Sequence, residues 1–178
     1  MREFDKYKRK GAYHWKDYAK KTSSYSKHVD RVVKWVRKGS SFDIGAGDGL
    51  ITHMLGAVGI DDNKIAVSLA KERKVPVELG SVYNLSGFKK FDNVLLLDVI
   101  EHLELPGQAL LEIKKVMKED SILYIVTPHS GPELDKYHVK EYRKEELVEF
   151  VESYGFHCLE ITQYSGCRRM YGRFELCQ

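Results

Sequence analysis

The chain alternates short apolar runs with segments of helical periodicity, and this alternation limits its possible folds more than any other feature. Strand-like apolar runs and stretches whose apolar residues recur at helical spacing alternate five times along the chain. The run at residues 93–97 is apolar on both faces, which is typical of a central strand in a parallel sheet. The pattern predicts an α/β fold, with a doubly wound sheet and helices on both faces.

The last two predicted strands depart from this alternation. Residues 156–161 and 171–176 are joined by a segment too short for a helical crossover, so we expect them to be antiparallel neighbours. The complete expectation is a seven-stranded, mostly parallel sheet with an antiparallel end strand. We predict a single domain over residues 1–178, with a basic helical lid segment over 1–38 and the core over 39–178.

Charge is distributed unevenly along the chain. Residues 1–38 hold 13 Lys and Arg against 4 Asp and Glu, whereas the remaining residues hold 16 against 22. A basic segment ahead of a mildly acidic body favours an anionic partner, such as a phosphate-bearing small molecule, a nucleotide or RNA. A solvated, lysine-rich helix face is the alternative, and composition does not decide between them.

The ends and the cysteines of the chain predict a cytoplasmic protein. The first ten residues are charged, and no run approaches the roughly 18 apolar residues of a membrane span. The three cysteines are an odd number without metal-finger spacing, which is typical of reduced thiols in the cytosol. Cys158 and Cys177 could face each other on paired strands, but nothing requires a bond.

A glycine-rich turn at residues 42–49, FDIGAGDG, directly follows the first predicted strand. Amides in such a turn are donors for a ligand. A phosphate-binding loop would need Gly-Lys-Ser/Thr at Gly49, and a dinucleotide fingerprint would need a later third glycine and an acid about 20 residues on. A third class of nucleotide-binding site needs an acid before the glycine turn, the glycines themselves, and an acid at the end of the second strand. Asp43, Gly45 to Gly49 and Asp61 meet all three requirements.

With these motifs the sequence resembles the class I, Rossmann-like S-adenosylmethionine-dependent methyltransferases, as a small, type-11-like member. The matching segments are FDIGAGDG at 42–49, VGID at 58–61, GSVYNL at 80–85, FDNVLLLDVIEHL at 91–103 and the late helix and strand at 138–156. The resemblance covers roughly residues 30–178. It implies S-adenosylmethionine as cofactor and S-adenosylhomocysteine as product.

The resemblance also implies which residues bind the cofactor. Gly45 and Gly47 would lie against its methionine portion. Asp61 would bind both ribose hydroxyls, since a carboxylate can accept two hydrogen bonds from a cis-diol. Ser81 and Val82 would border the adenine, where the family often has an acid. The full predicted set is Asp43, Gly45, Ala46, Gly47, Asp61, Asp62, Ser81, Val82, Asp98 and Val99.

The segment at 98–102 follows the fourth predicted strand, at the sheet edge where ligands bind in open α/β folds. In the family this segment borders the methyl acceptor. His102 and His138 are the candidate bases, because imidazole titrates near neutrality, and Glu101 completes the predicted catalytic set. A packed structural role is the alternative for His102, and His129 is predicted to be a loop residue. The segment lacks the Asn/Asp-Pro-Pro-aromatic box of enzymes that methylate amino groups of DNA bases.

Two further hypotheses concern a bound metal ion and a segment that covers the cofactor or the acceptor. Asp98, Glu101, His102 and His138 also resemble the metal site of small-RNA 3′-end 2′-O-methyltransferases, where carboxylates and imidazoles can hold Mg²⁺ or Mn²⁺. The preferred interpretation assigns no metal.

Residues 10–15 and Tyr25 are predicted to close over the cofactor or the acceptor and to exclude water, with Tyr13 and Trp15 available for stacking. Packing on the sheet edge is the alternative.

The sequence thus predicts an enzyme that moves a methyl group from S-adenosylmethionine to oxygen or nitrogen of a small polar, anionic metabolite. An RNA methyltransferase of the 2′-O type, metal-assisted or not, is the first alternative. A catalytically silent, cofactor-binding partner subunit is the second. We expect a small-molecule substrate, no membrane attachment, and a monomer or homodimer.

Overall fold

A computed structural model describes residues 5–131 and 135–177. The chain divides into two compact units, Met1–Ser81 and Val82–Gln178. The single domain expected over residues 1–178 stays a prediction.

Three helices precede the first strand in the described part of the first unit. The elements of this unit are α1 (Lys6–Lys10), α2 (Tyr13–Ala19), α3 (Ser24–Trp35), β1 (Ser41–Ile44), α4 (Leu50–Leu55), β2 (Val58–Asp61), α5 (Lys64–Glu72) and β3 (Val77–Leu79). Helix α3 begins after Ser23, whose hydroxyl oxygen accepts a hydrogen bond from the Ser26 N–H at 2.9 Å. Helices α1 and α2 lie where the sequence shows no clear periodicity.

The strands of the first unit are parallel. β1 pairs with β2, placing Ile44 opposite Ile60, and β2 pairs with β3, placing Asp61 opposite Leu79. The carboxyl ends of β1 and β2 therefore lie side by side. The glycine turn, which leaves the end of β1, is brought next to the acid that ends β2.

Helix α5 buries one face, formed by small residues. Ala66, Val67 and Ala70 are buried, whereas Ile65 is 40% exposed. The contact is centred on Ala66 and Ala70, which are one turn apart, and this leaves Ile65 at the edge of the buried face.

The second unit contains the remaining strands. Its elements are β4 (Phe91–Leu97), a short 3₁₀ turn (Ile100–His102), α6 (Pro106–Lys115), β5 (Met117–Pro128), α7 (Lys144–Glu152), β6 (Phe156–Gln163) and β7 (Arg169–Leu176). β4 and β5 are parallel, whereas β7 runs antiparallel to both β5 and β6. The short link between β6 and β7 makes a hairpin, as the sequence predicts.

The seven strands follow the order β3-β2-β1-β4-β5-β7-β6. This confirms the predicted α/β fold with a seven-stranded, mostly parallel sheet. The reversed strand is the last one in the sequence, β7, and it lies one position in from the edge, because the hairpin folds β6 to its outer side.

The cysteines and the helix lengths add two facts. Cys158, Cys167 and Cys177 are all free thiols, and Cys158 lies opposite Phe174 rather than Cys177. Within residues 5–131 and 135–177, every helix is too short or too polar to cross a membrane.

Candidate functional site

The glycine turn after β1 uses backbone conformations that favour glycine. Gly45, Gly47 and Gly49 have φ values of 78°, 59° and 79°, in the left-handed region that side chains with a Cβ rarely adopt. The chain can therefore reverse direction within a few residues and begin α4 at Leu50.

Hydrogen bonds hold this turn against β2. The N–H groups of Gly45 and Ala46 both donate to the Ile60 carbonyl at 2.9 Å, and the Gly49 N–H donates to the Ala46 carbonyl at 3.0 Å. The sequence predicts amides available to a ligand, but these three have protein acceptors, because the turn lies directly beside the end of β2. Their hydrogen bonds fix the position of the turn.

Asp61 joins the turn to the end of β2. Its carboxylate accepts a hydrogen bond from the Gly47 N–H at 2.7 Å and another from the Asn63 N–H at 2.8 Å. Burial raises the pKa of Asp61 to about 6. A carboxylate has about four acceptor positions, so two hydrogen bonds leave room for further hydroxyl donors. The structure thus places together the two residues on which the cofactor hypothesis most depends.

Asp43 lies beneath the turn. It is 2% exposed, and it accepts a hydrogen bond at 2.7 Å from the hydroxyl group of Thr52 on α4. Burial raises the pKa of Asp43 to about 6 as well. Asp43 therefore ties β1 to α4.

An aromatic cover, formed by Tyr7, Tyr13, His14, Trp15 and Tyr25, lies at the glycine turn. Tyr7 is only 6% exposed. A Cβ atom built on Gly47 would lie 2.2 Å from the Tyr7 hydroxyl oxygen and 3.5 Å from the His14 ring. Burial, with Tyr13 and Asp61 nearby, raises the pKa of Tyr7 well above its ordinary value. Tyr7 was missed by the sequence analysis, since nothing in its lysine-rich surroundings marks it as buried.

Asp48, inside the turn, receives the rest of this cover. Its fully buried carboxylate accepts a hydrogen bond from the His14 N–H at 3.1 Å and lies 3.1 Å from His14 Nδ1. The Trp15 indole N–H donates to the Asp48 carbonyl at 2.9 Å, and the Tyr25 ring stacks on His14 at 5.0 Å. Of the predicted covering residues, His14 and Trp15 therefore contact the glycine turn directly, through an acid that the sequence analysis did not single out.

Three other predicted cofactor residues occupy less distinctive places. Asp62 is exposed beside Asp61, Ser81 is half-buried at the end of the first unit, and Val82 is buried at the start of the second. Their assignment stays a prediction.

In the second unit, Asp98 ends β4 in an unusual conformation. Its φ is 53°, in the left-handed region that few residues other than glycine adopt. Both of its carboxylate oxygens accept hydrogen bonds from Arg169 Nε on β7, at 2.8 and 2.9 Å. Arg169 lies 71 residues away in sequence, and no local pattern predicts this ion pair. Val99, next to Asp98, is half-buried.

Glu101 is buried and tied to the segment that carries His138. It is 1% exposed and accepts a hydrogen bond from the Thr127 hydroxyl at 2.9 Å. Its backbone carbonyl accepts from the Val139 N–H at 2.7 Å. Burial, with a further effect from Asp98, raises the pKa of Glu101 well above its ordinary value.

His102 and His138, the two predicted bases, lie together. Their ring centres are 4.9 Å apart at near-perpendicular orientation. His102 Nδ1 lies 2.9 Å from the Tyr137 carbonyl oxygen, and His138 Nδ1 lies 2.6 Å from a carboxylate oxygen of Glu141. Glu101, His102 and His138 each bring one ligand-type atom into a group within 4.8 Å.

His129 and Asp98 lie outside this group. His129 directly follows β5 and forms an isolated β-bridge with Tyr142, and its Nδ1 contacts the neighbouring Ser130 carbonyl at 2.9 Å. Asp98, the fourth residue of the metal hypothesis, is instead held by Arg169.

Comparisons with known proteins show what the chain is similar to. A family model described as "Methyltransferase domain" matches residues 42–125. The ubiquinone biosynthesis O-methyltransferase of Pelagibacter ubique (strain HTCC1062) is 33% identical over a match that covers 48% of this chain and 40% of that protein. The match thus spans less than half of the relative's length.

Solved structures share the fold. A Thermotoga maritima methyltransferase, titled a possible histamine N-methyltransferase, has a TM-score of 0.76 at 18% identity, covering 97% of this chain and 95% of its own. The Burkholderia thailandensis 1,6-didemethyltoxoflavin-N1-methyltransferase was solved with bound 1,6-didemethyltoxoflavin and S-adenosylhomocysteine. It has a TM-score of 0.74 at 18% identity, and the match covers 98% of this chain and 86% of that chain. At these identities the likeness establishes the fold.

The family model and the fold agree with the motifs of the glycine turn and the second strand. Residues 42–125 therefore resemble a methyltransferase domain, and the chain has the fold of the solved methyltransferases.

Proposed function

We propose that the chain binds S-adenosylmethionine in its first unit and transfers the methyl group to an oxygen of a small, polar, anionic molecule. One observation carries the cofactor half of this proposal. The Gly47 N–H and the Asp61 carboxylate, the two predicted cofactor contacts, are joined by a 2.7 Å hydrogen bond.

The donor and acceptor set of the first unit fits a nucleoside. Asp61 is held rigidly by two backbone N–H groups, and it retains acceptor positions for two neighbouring hydroxyls. A preorganised carboxylate loses less entropy when it binds a cis-diol. Asp43, on β1, keeps the turn in place because its carboxylate accepts a hydrogen bond from Thr52 on α4.

When bound, the cofactor supplies an electrophilic methyl group on a positively charged sulfur. The residues of the chain have complementary tasks. Gly45, Ala46 and Gly47 would present the backbone of the turn, and the aromatic cover would exclude water from the site. Contacts from Asp62, Ser81, Val82, Asp98 and Val99 rest on the family resemblance.

Acceptor chemistry is assigned to the second unit. A hydroxyl acceptor must lose its proton during transfer, and a histidine is suited to remove it near neutral pH. His102 and His138 are therefore the proposed bases. Glu101 positions the segment that carries His138, because its carbonyl binds the Val139 N–H.

Two features favour this acceptor class over others. The relative from Pelagibacter ubique is named an O-methyltransferase, which favours oxygen over nitrogen. The excess of Lys and Arg over residues 1–38 favours an anionic molecule. A cytoplasmic location and a monomeric or homodimeric state remain part of this proposal.

Transfer of labelled methyl groups tests the proposal. S-adenosylmethionine with a tritiated methyl group is incubated with the protein and with pools of hydroxyl-bearing or amine-bearing anions. We expect label in a hydroxyl-bearing product, reduced at least tenfold by His102→Gln or His138→Gln and unchanged by His157→Gln, which alters an exposed histidine on β6. Binding of S-adenosylhomocysteine without any labelled product would instead support the silent partner subunit.

RNA is the second candidate acceptor. It is favoured by exposed basic side chains along α1 and α2 and just after them, which are Lys8, Arg9, Lys10, Lys16, Lys20 and Lys21. If RNA is the acceptor, labelled RNA is recovered in the same assay.

A further inference from the structure

We propose that Glu101, His102 and His138 form a binding site for one divalent transition-metal ion. Each residue brings one ligand-type atom, and these atoms lie within 4.8 Å of one another. In a tetrahedral site with metal–ligand bonds of about 2.0–2.2 Å, the ligand atoms lie roughly 3.3–3.6 Å apart. Small side-chain movements, of up to about an ångström, would therefore bring the three ligand atoms to the spacing that a bound ion requires.

The histidines are oriented as metal ligands are. A carbonyl oxygen can only accept, so His102 Nδ1 carries the hydrogen in its 2.9 Å contact with Tyr137. The same holds for His138 Nδ1 at the Glu141 carboxylate, 2.6 Å away. In each neutral ring the lone pair then lies on Nε2. A second hydrogen bond of this kind, to a carbonyl or a carboxylate, accompanies nearly all metal-bound histidines.

Local charge also favours a cation. Glu101 is 1% exposed, and its hydrogen bond from the Thr127 hydroxyl comes from a neutral donor. Arg169 is engaged by both oxygens of Asp98. A bound cation would supply the opposite charge that the buried Glu101 carboxylate needs.

The ligand types indicate the class of ion. Mg²⁺ and Ca²⁺ prefer oxygen ligands, whereas two imidazoles with one carboxylate suit Mn²⁺, Fe²⁺, Co²⁺ or Zn²⁺. Three protein ligands would leave a coordination position open. The ion would occupy the Nε2 lone pairs, so either histidine could act as the proposed base only in the ion-free site, and binding of the ion does not depend on the proposed function.

Cobalt titration of the full chain, without an affinity tag and after chelator treatment, tests the site. Co²⁺ bound to imidazole has a visible absorption spectrum, and calorimetry gives the stoichiometry. We expect one Co²⁺ per chain, with Mg²⁺ binding at least about 100-fold more weakly. His138→Gln and Glu101→Gln should each lower the Co²⁺ affinity at least tenfold, and Glu141→Gln, which removes the support of His138, should lower it about 10–100-fold.

His157→Gln is the matched control, since His157 is exposed on β6 and its removal should leave the affinity unchanged. A second measurement protects against misfolded variants: Zn²⁺ should raise the unfolding temperature of the wild type and of His157→Gln, but not of His102→Gln. Absence of Co²⁺ binding, or equal affinity in all histidine variants, would overturn the proposal. S-adenosylhomocysteine binding, measured without metal, reports on the proposed function separately.

Discussion

Gly47 shows how much of the site depends on a single missing side chain. Its φ of 59° already disfavours any other residue, and Tyr7 occupies the space where a Cβ would go. Gly56 has almost the same φ, 60°, but nothing within 4 Å of its Cβ position. The two glycines therefore separate backbone strain from contact with the aromatic cover.

We expect Gly56→Ala to lower the free energy of unfolding by about 1–2 kcal/mol, the cost of a left-handed alanine. Gly47→Ala should cost at least about 1 kcal/mol more, because its methyl group meets a buried ring. Adding Tyr7→Phe, which removes the nearest atom, should recover part of that difference. Urea unfolding of the single and double variants measures it, and equal costs at Gly47 and Gly56 would show that Tyr7 does not pack on the turn.

Asp43 makes stability depend on pH. Burial raises its pKa to about 6 in the folded protein, whereas an unfolded Asp has a pKa of about 3.9. Between these values the folded state binds more protons, so the free energy of unfolding falls as the pH rises from about 4 to 6 and then levels off.

Asp43→Asn should remove this part of the pH dependence, by up to about 3 kcal/mol between pH 4 and 7, because an amide oxygen can still accept from Thr52. Urea unfolding at both pH values gives the difference. Asp62→Asn, which alters an exposed carboxylate of the first unit, should show the same pH dependence as the wild type. The same dependence in Asp43→Asn and wild type would contradict the effect of burial.

At the scale of elements, α1 and α2 matter through their contacts with the glycine turn. Tyr7 on α1 and His14 and Trp15 on α2 pack on Gly47 or bind Asp48. These helices are short, and isolated helices of this length are unstable in water. Their order must therefore come from tertiary contacts of this kind.

Deletion of residues 2–20 should therefore leave the strands folded but weaken S-adenosylhomocysteine binding at least tenfold, because water then enters the site. Circular dichroism checks the fold, and calorimetry gives the affinity. Tyr18→Phe, which alters a side chain of α2 that binds the exposed Asp30, serves as the control and should bind normally. Unchanged affinity after the deletion would show that the aromatic cover has no part in binding.

The sequence predicts best what is local. The glycine turn, Asp61 and the order of strands follow from a motif, a spacing and a periodicity of two or 3.6 residues. Tyr7 over Gly47 and Arg169 on Asp98 depend on contacts between distant parts of the chain. Neither has a repeating pattern that would mark it, so both emerge only from the structure.

At the scale of the whole molecule, the basic segment poses the main question about the acceptor. Binding of RNA through several Lys and Arg would weaken steeply as salt is raised, because counterions are released. A small anion makes few such contacts. We expect a several-fold change at most in acceptor affinity between 50 and about 200 mM salt, against about 10³-fold or more for RNA. Fluorescence anisotropy with a labelled RNA, and calorimetry with the small-molecule acceptor, distinguish the two acceptor classes. A steep fall in affinity with salt would favour RNA.

The central claim is that Asp61, fixed by the Gly47 N–H, holds the ribose of S-adenosylmethionine. Calorimetric titration with S-adenosylhomocysteine tests it most directly in the wild type, in Asp61→Asn, and in Glu78→Gln, which removes an exposed carboxylate from the neighbouring strand. The account predicts saturable binding by the wild type, at least tenfold weaker binding by Asp61→Asn, and normal binding by Glu78→Gln. An affinity that is unaffected by Asp61→Asn, or no binding by the wild type, would contradict it.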